Sequence, residues 1–204
     1  MRKRVVYRGR EFNPPKVFCI GRNYVEHIEE LNNKRASEPV VFMKPNISIC
    51  EEERVLIPLE DVRFEGELSF LLKERRPIAV GFGIDFTAAS VQERMKKNAH
   101  PWEKAKAFRN SAVFSEFVDF YSLEELELEL YKNDILVQKG GVKEMIFDPF
   151  SCIDEVYKYF EIEEFDILMS GTPSGVGAVA LGDVLEGRVL EGQKELVSKK
   201  WEIV

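Results

Sequence analysis

The stretch LELELYKNDILVQKG (126–140) alternates apolar and polar residues on both sides of the pair Asn133-Asp134. Alternation with a period of two places one side of each segment against a core. An Asn-Asp pair between two such segments is typical of a tight hairpin turn. The stretch therefore predicts two antiparallel strands, and it favours a fold built largely from sheets.

The rest of the chain supports a β-rich, mixed α+β fold in a single domain spanning residues 1–204. Four short apolar runs, bounded by charges, prolines and glycines, predict strands: VFCI (17–20), VVFMK (40–44), ELSFLL (67–72) and IAVGFGI (78–84). Helical periodicity is clear in TAASVQERMKKN (87–98), with Thr87 or Asp85 as cap, and in SCIDEVYKYF (151–160), with Ser151 as N-cap. A shorter helix is predicted around VEHIEEL (25–31).

Composition excludes several classes of function. With 29 basic and 36 acidic residues the formal net charge is −7, which argues against a nucleic-acid-binding surface. No apolar run approaches the roughly 20 residues of a membrane helix, and the basic start MRKRVVYRGR resembles neither a secretory signal nor a transit peptide. The odd number of cysteines, without a C-x-x-C pair, predicts a reduced, cytoplasmic protein. Two histidines are too few for a zinc site built from several imidazoles.

The stretch RFEGELSF (63–70) carries two carboxylates, Glu65 and Glu67, at alternate positions of a predicted strand. Both therefore point to the same face. With Asp85, at the end of another apolar run, they offer three hard oxygen ligands that suit Mg²⁺, Mn²⁺ or Ca²⁺. The alternative is an ordinary solvated face. Gly66, between them, would let another backbone approach the opposite face closely.

Two further segments contain residues of the types used in catalysis and anion binding. In GRNYVEHIEEL (21–31), His27 and Glu30 would be neighbours on a helix, and the carboxylate could orient the imidazole as a general base. The alternative is a helix-surface histidine that simply hydrogen-bonds there. In GTPSGVGAVALGD (171–183), backbone amides and the Thr172 hydroxyl could bind an anion, although turns have the same composition.

Taken in order, GRNYVEHIEEL, PVVFMKP, FEGELSFLL, GFGIDFTAASVQE, PWEKAKAF, MIF and GTPSGVG resemble the fumarylacetoacetate hydrolase family. The likeness runs from about Lys16 to the C-terminus and is strongest to the short branch of acylpyruvate hydrolases and oxaloacetate decarboxylases. It implies the family's mixed β-sandwich roll and a homodimer.

The resemblance also implies roles for particular residues. The metal-binding carboxylates would be Glu65, Glu67 and Asp85, holding Mg²⁺ or Mn²⁺. The catalytic residues would be His27 and Glu30, on a lid segment near 22–36, together with Lys106. Gln92 and Thr172 fall on positions that contact substrate.

One departure from the family pattern concerns substrate binding. The family's arginine and aspartate after the metal aspartate are replaced here by Ala89 and Ser90. Alanine cannot form the bidentate pair with a carboxylate that an arginine forms. Arg22 or Arg94 could supply the contact, or the substrate could lack the group that needs it.

The function predicted on this basis is divalent-metal-dependent hydrolysis of a C–C bond in acylpyruvate-like 2,4-dioxo acids, through an enolate. The alternatives left open are decarboxylation of oxaloacetate and isomerisation or tautomerisation of a 2-hydroxy-dienoate at the same site. A non-catalytic protein that binds a metal or a diacid is the alternative of another class. The predicted partner is a small anionic dioxo or keto acid, without nucleic acid or membrane.

Overall fold

The computed structural model describes residues 2–25 and 37–204. The strands are β1 (Val5–Tyr7), β2 (Arg10–Phe12), β3 (Lys16–Gly21), β4 (Val40–Pro45), β5 (Ile49–Cys50), β6 (Arg54–Val55), β7 (Val62–Phe64), β8 (Gly66–Lys73), β9 (Arg76–Asp85), β10 (Thr87–Ala88), β11 (Ala112–Phe114), β12 (Leu126–Lys132), β13 (Ile135–Gly141), β14 (Ile167–Met169), β15 (Gly177–Ala178), β16 (Val184–Glu191) and β17 (Lys194–Ile203). The helices within these residues are α1 (Ala89–Lys97), α2 (Glu103–Lys106) and α3 (Pro149–Tyr157), with 3₁₀ turns at Asn46–Ser48, Leu123–Glu125 and Val142–Glu144.

The central layer is a seven-stranded sheet of order β4-β3-β14-β8-β9-β11-β5. All four apolar runs predicted as strands lie in it, as parts of β3, β4, β8 and β9. Its longest pair is the β8–β9 hairpin, which places Gly66 opposite Ile84 and Glu67 opposite Gly83. The predicted β-rich fold is confirmed. The candidate site lies at the open end of this hairpin, where β8 begins and β9 ends.

A five-stranded sheet of order β13-β12-β16-β17-β6 packs over one face of the central sheet. The Phe82 ring of β9 lies 6.2 Å from the Trp201 ring of β17, and both side chains are buried. Gly187 of β16 has no room for a side chain because a methyl group there would overlap the Phe82 ring. The two layers form the predicted mixed β-sandwich, and the apolar residues between them make up the larger core.

The hairpin predicted from LELELYKNDILVQKG is confirmed. β12 and β13 pair antiparallel, with Lys132 opposite Ile135 across a two-residue turn. Asn133 and Asp134 both have positive φ, at 52° and 64°. This is the conformation of a type I′ turn, which matches the twist of the flanking strands and is tolerated best by asparagine, aspartate and glycine.

The two helices predicted from clear periodicity exist, but their N-termini differ from the prediction. Helix α3 begins at Pro149, and its N-cap is Asp148, whose carboxylate accepts hydrogen bonds from the Phe150 and Ser151 amides. Ser151 was therefore the wrong cap. An aspartate followed by proline is the stronger start signal because proline needs no amide partner at the first helical position.

Helix α1 begins at Ala89 and has no cap from Thr87 or Asp85. Its first amides are satisfied from outside the helix, since the Ala89 and Ser90 N–H groups donate to the carbonyl and the carboxylate of Asp61.

The opposite face of the central sheet is also covered. A second apolar cluster there includes residues of β1, β3, β8 and β14. The three cysteines are buried and free. Along the described chain, no helix is long and apolar enough to cross a membrane.

Candidate metal centre and substrate cavity

Three acidic side chains converge where strands β8 and β9 meet. Glu65 immediately precedes β8, Glu67 is the second residue of β8, and Asp85 ends β9. The Asp85 amide donates to the Glu65 carbonyl at 2.8 Å, which holds the two chain segments together. One carboxylate oxygen from each residue lies within 4.8 Å of the others. We call these three residues the carboxylate cluster.

The carboxylate cluster is buried on the strand side and open on one side. Glu67 and Asp85 are buried, whereas 15% of the Glu65 side chain is exposed. Gly66 points the other way, and a methyl group there would lie 2.9 Å from the Phe82 ring and 3.2 Å from Leu130. The close approach at Gly66 therefore comes from side chains and not, as expected, from another backbone.

Lys106, the last residue of α2, places its ammonium group between the acids. Its Nζ lies 2.8 Å from Glu65 Oε2, 2.7 Å from Asp85 Oδ2 and 2.6 Å from Thr87 Oγ1. Burial by itself lowers the pKa of Lys106, but Asp85 and Glu65 outweigh burial and raise that pKa well above its ordinary value. Lys106 is therefore a positive charge at neutral pH and not a general base in this arrangement.

A second buried lysine was missed from the sequence. Lys44 of β4 is fully buried, with its Nζ 2.7 Å from Asp85 Oδ1. The same ammonium group donates to Ser111 Oγ at 3.1 Å and to the Lys106 carbonyl. The motif PVVFMKP held the signal, since a lysine in an apolar strand is almost never buried without a partner. Asp85 is thus held between two lysines.

The buried environment of Glu67 disfavours its ionised form. Burial and repulsion from Asp85 and Glu65 raise its pKa well above the ordinary range, although the Gly171 amide donates to Glu67 Oε2 at 2.7 Å. A buried set of three carboxylate oxygens, with no sulfur or imidazole among them, fits a hard divalent cation. Such a cation would stabilise the ionised form of Glu67.

The loop that follows β14 carries Thr172 and is held by two side chains that sequence reasoning also missed. Gln138 of β13 donates from Nε2 to Thr172 Oγ1 at 2.8 Å and to the Pro173 carbonyl at 2.9 Å. Asn23 donates from Nδ2 to the Ser170 carbonyl at 2.7 Å. The predicted anion-binding amides are partly committed, because the Gly171 amide binds Glu67.

A cavity of about 360 Å³ opens onto the carboxylate cluster from the side of Glu65. The predicted substrate residue Gln92 lines it, as does Ala89. Arg94, on the same helix, does not line it. The complete lining is Asp61, Arg63, Glu65, Thr87, Ala89, Ser90, Gln92, Glu93, Lys96 and Val176.

The structure thus brings together the predicted metal ligands and Lys106, with Gln92 on the adjoining cavity. Arg22 is half-buried with a positive φ of 61°, and it lies near enough to Lys96 to lower the pKa of that lysine. His27 and Glu30, with most of the predicted lid segment and the short helix at 25–31, lie outside the described residues.

Comparison with known proteins identifies the family. Residues 16–199 match the model of the fumarylacetoacetate (FAA) hydrolase C-terminal family. An oxaloacetate tautomerase of Escherichia coli (strain K12) is 35% identical over 188 residues, covering 83% of this chain and 86% of that protein. A mitochondrial oxaloacetate tautomerase of Rattus norvegicus is 35% identical over 190 residues, covering 85% of this chain and 86% of its own.

Among solved structures, a fumarylpyruvate hydrolase from Pseudomonas aeruginosa, in complex with Mn²⁺ and pyruvate, superposes with a TM-score of 0.88. The alignment covers 100% of this chain and 96% of that one, and at 24% identity it shows the shared fold. The matched family model spans most of the chain, and the two relatives exceed 30% identity over most of their length. The chain therefore belongs to the fumarylacetoacetate hydrolase family.

Proposed function

We propose that this protein is a divalent-metal-dependent enzyme that interconverts the keto and enol forms of oxaloacetate or a similar small 2-oxo acid. The observation that carries the proposal is the carboxylate cluster with the Lys106 ammonium group against it. The two curated relatives named as oxaloacetate tautomerases support this reaction over the hydrolysis expected from the sequence.

The carboxylate cluster would hold the metal ion, Mg²⁺ or Mn²⁺ by its oxygen ligands. When bound, that ion would supply Lewis-acid chemistry for the 2-oxo acid group of the substrate. Tautomerisation moves one proton between C3 and the 2-oxo oxygen, so negative charge develops on that oxygen as the C3–H bond breaks. The buried, positively charged Lys106 would stabilise this charge at low dielectric.

Two further predicted roles complete the mechanism. Thr172 Oγ1 accepts from Gln138 and donates to the Pro173 carbonyl at 3.5 Å. A substrate carboxylate would replace that long contact as the acceptor of the hydroxyl proton. His27, oriented by Glu30, would exchange the proton at C3 as general base and acid. These roles are part of the proposal.

Hydrolysis of acylpyruvates is the second candidate, and the specific observation in its favour is the size of the cavity. The volume of about 360 Å³ leaves space beside the carboxylate cluster for an acyl group or an attacking water. In that reaction water adds to the distal carbonyl, and the C–C bond breaks to release a carboxylic acid and pyruvate. Decarboxylation of oxaloacetate would use the same charges to release CO₂.

The test follows enol oxaloacetate by its ultraviolet absorbance, with Mg²⁺ or Mn²⁺ and with EDTA. We expect the wild-type protein to accelerate loss of the enol only with metal, and Glu67→Gln to lose at least about a hundredfold in rate because a metal ligand loses its charge. Glu60→Gln is the matched control, since Glu60 is exposed and outside the cluster.

NMR of the products separates the candidate reactions. Keto oxaloacetate alone supports tautomerisation, pyruvate with CO₂ supports decarboxylation, and acetate with pyruvate from acetylpyruvate supports hydrolysis. Wild-type protein that binds Mn²⁺ but turns over none of these acids would refute the enzymatic proposal and favour a non-catalytic metal- or diacid-binding protein.

A further inference from the structure

The cavity beside the carboxylate cluster contains two positive charges that the mechanism above does not use. Lys96 of α1 and Arg63 of β7 both line it. Within residues 2–25 and 37–204, neither side chain has a carboxylate at ion-pairing distance. Three acidic residues line the same cavity: Asp61 accepts from the Ser90 amide, Glu65 pairs with Lys106, and Glu93 makes no ion pair with Lys96.

Helix geometry aims Lys96 into the cavity. Ala89, Gln92, Glu93 and Lys96 follow the spacing i, i+3, i+4 and i+7, so they share one face of α1. Helical side chains lean toward the N-terminus of the helix. Lys96 does so here, since its Nζ donates to Gln92 Oε1 at 3.1 Å. The ammonium group therefore lies one turn nearer to Ala89 than its own backbone does.

The side chain at position 89 leaves the space for a ligand. Ala89 and Ser90 are the small residues at the start of α1, and both line the cavity. Arg94 is five positions beyond Ala89, on another face of the helix, and it does not reach this space. Arg94, one of the two cations suggested from the sequence as a replacement for the missing arginine, is therefore badly placed, whereas Lys96 lines the cavity.

The positive charges around the cavity act on one another. Burial, Arg22 and Lys106 lower the pKa of Lys96 from its ordinary value, with Glu65 acting in the opposite direction. A group of positive charges close enough to perturb one another is relieved by a negatively charged ligand. Because the cavity opens onto Glu65 of the carboxylate cluster, an anion there could belong to the same molecule as a metal-binding head group.

We propose that Lys96, with Arg63, binds a second carboxylate of the substrate and so makes this protein selective for 2-oxo dicarboxylic acids over 2-oxo monocarboxylic acids. This inference rests on the proposed function, because it assumes that the first carboxylate and the 2-oxo group bind at the carboxylate cluster. Lys96 is then a specificity-determining residue, and the head-group chemistry does not depend on it.

The test compares two small ligands that share the 2-oxo acid head, pyruvate and 2-oxoglutarate, by calorimetric titration into protein with Mn²⁺. Lys96→Met keeps most of the aliphatic stem and removes the charge. We expect the Kd for 2-oxoglutarate to rise about fivefold to tenfold, as for loss of a charge-assisted hydrogen bond, and the Kd for pyruvate to stay within about twofold. Arg63→Met should act in the same direction.

Arg94→Met is the matched control, because it removes one positive charge from the same helix outside the cavity. It should leave both Kd values unchanged. Equal weakening of both ligands by Lys96→Met, or no change in either, would overturn this inference while leaving the proposed function intact. Wild-type protein that binds neither acid in the presence of Mn²⁺ would overturn the proposed function and this inference with it.

Discussion

Replacement of Gln138 tests the link between the carboxylate cluster and the loop that carries Thr172. Its Oε1 accepts from the Gly66 amide at 2.9 Å, and its Nε2 donates to Thr172 Oγ1 and the Pro173 carbonyl. The orientation of the amide is fixed by chemistry, since the Gly66 N–H can only donate and the Pro173 carbonyl can only accept. One side chain, 1% exposed, thus joins the strand of the carboxylate cluster to the Thr172 loop.

We expect Gln138→Leu to lower stability because it leaves buried backbone groups without a hydrogen-bond partner. Leucine has a similar volume, so the change creates little cavity. The buried Gly66 amide loses its acceptor, which costs about 1–3 kcal/mol, and the Pro173 carbonyl loses one donor at a smaller cost. Thr172 can rotate its hydroxyl toward water or substrate. We expect the free energy of unfolding to fall by about 3 kcal/mol in total.

Urea denaturation followed by tryptophan fluorescence measures this loss, because Trp201 is buried between the two sheets. With a slope of about 2 kcal/mol per molar urea, the midpoint should fall by roughly 1.5 M. Gln92→Leu, at the cavity, should stay within about 0.5 kcal/mol. A loss below about 1 kcal/mol in Gln138→Leu would refute the argument.

Two other changes test packing and charge elsewhere. In Gly187→Ala the methyl group would overlap the buried Phe82 ring, so the free energy of unfolding should fall by about 1–3 kcal/mol. In the control Gly21→Ala the methyl group makes an ordinary 3.6 Å contact, so the free energy of unfolding should fall clearly less. Equal losses of stability in urea denaturation would contradict this reasoning. Burial raises the pKa of Asp183, but hydrogen bonds led by Lys132 outweigh burial and lower that pKa. The ionised Asp183 side chain therefore stabilises the fold above its unfolded pKa of about 4, and this stabilisation is lost as pH falls through the folded pKa. Asp183→Asn should therefore be less stable than wild type at pH 7, with the difference shrinking in denaturation at pH 3; a difference that does not change with pH would refute it.

The sequence predicts those parts of the fold that depend on neighbours along the chain. The hairpin at Asn133-Asp134 was predictable because strand alternation and turn conformation are both local properties. The cap of α3 was equally local, and the prediction failed by choosing Ser151 over Asp148. The packing of the five-stranded sheet over the central sheet could not be predicted from sequence patterns, because the contact of Phe82 with Trp201 joins strands that are far apart in sequence.

The candidate site likewise contains residues that the sequence predicts and residues that it does not. Glu65 and Glu67 share a face by strand geometry alone, and Asp85 was a third candidate at the end of another apolar run. The family resemblance then favoured metal binding over a solvated face. Lys44 and Gln138 were missed because they reach the site from other strands, β4 and β13, far in sequence from the residues they contact. Buried polar side chains need partners, so an unexplained lysine or glutamine inside an apolar strand is the one local sign of such a contact.

The charges of the site, taken together, explain why a second carboxylate would need its own cations. With a metal ion bound, the carboxylate cluster would carry three negative charges, of which Lys44 and Lys106 balance two. A divalent ion held there would leave one positive charge, which a single substrate carboxylate neutralises. Further negative charge is costly in a buried site unless it is paired. Lys96 and Arg63, outside this balance but on the adjoining cavity, are where a dicarboxylate would find that pairing.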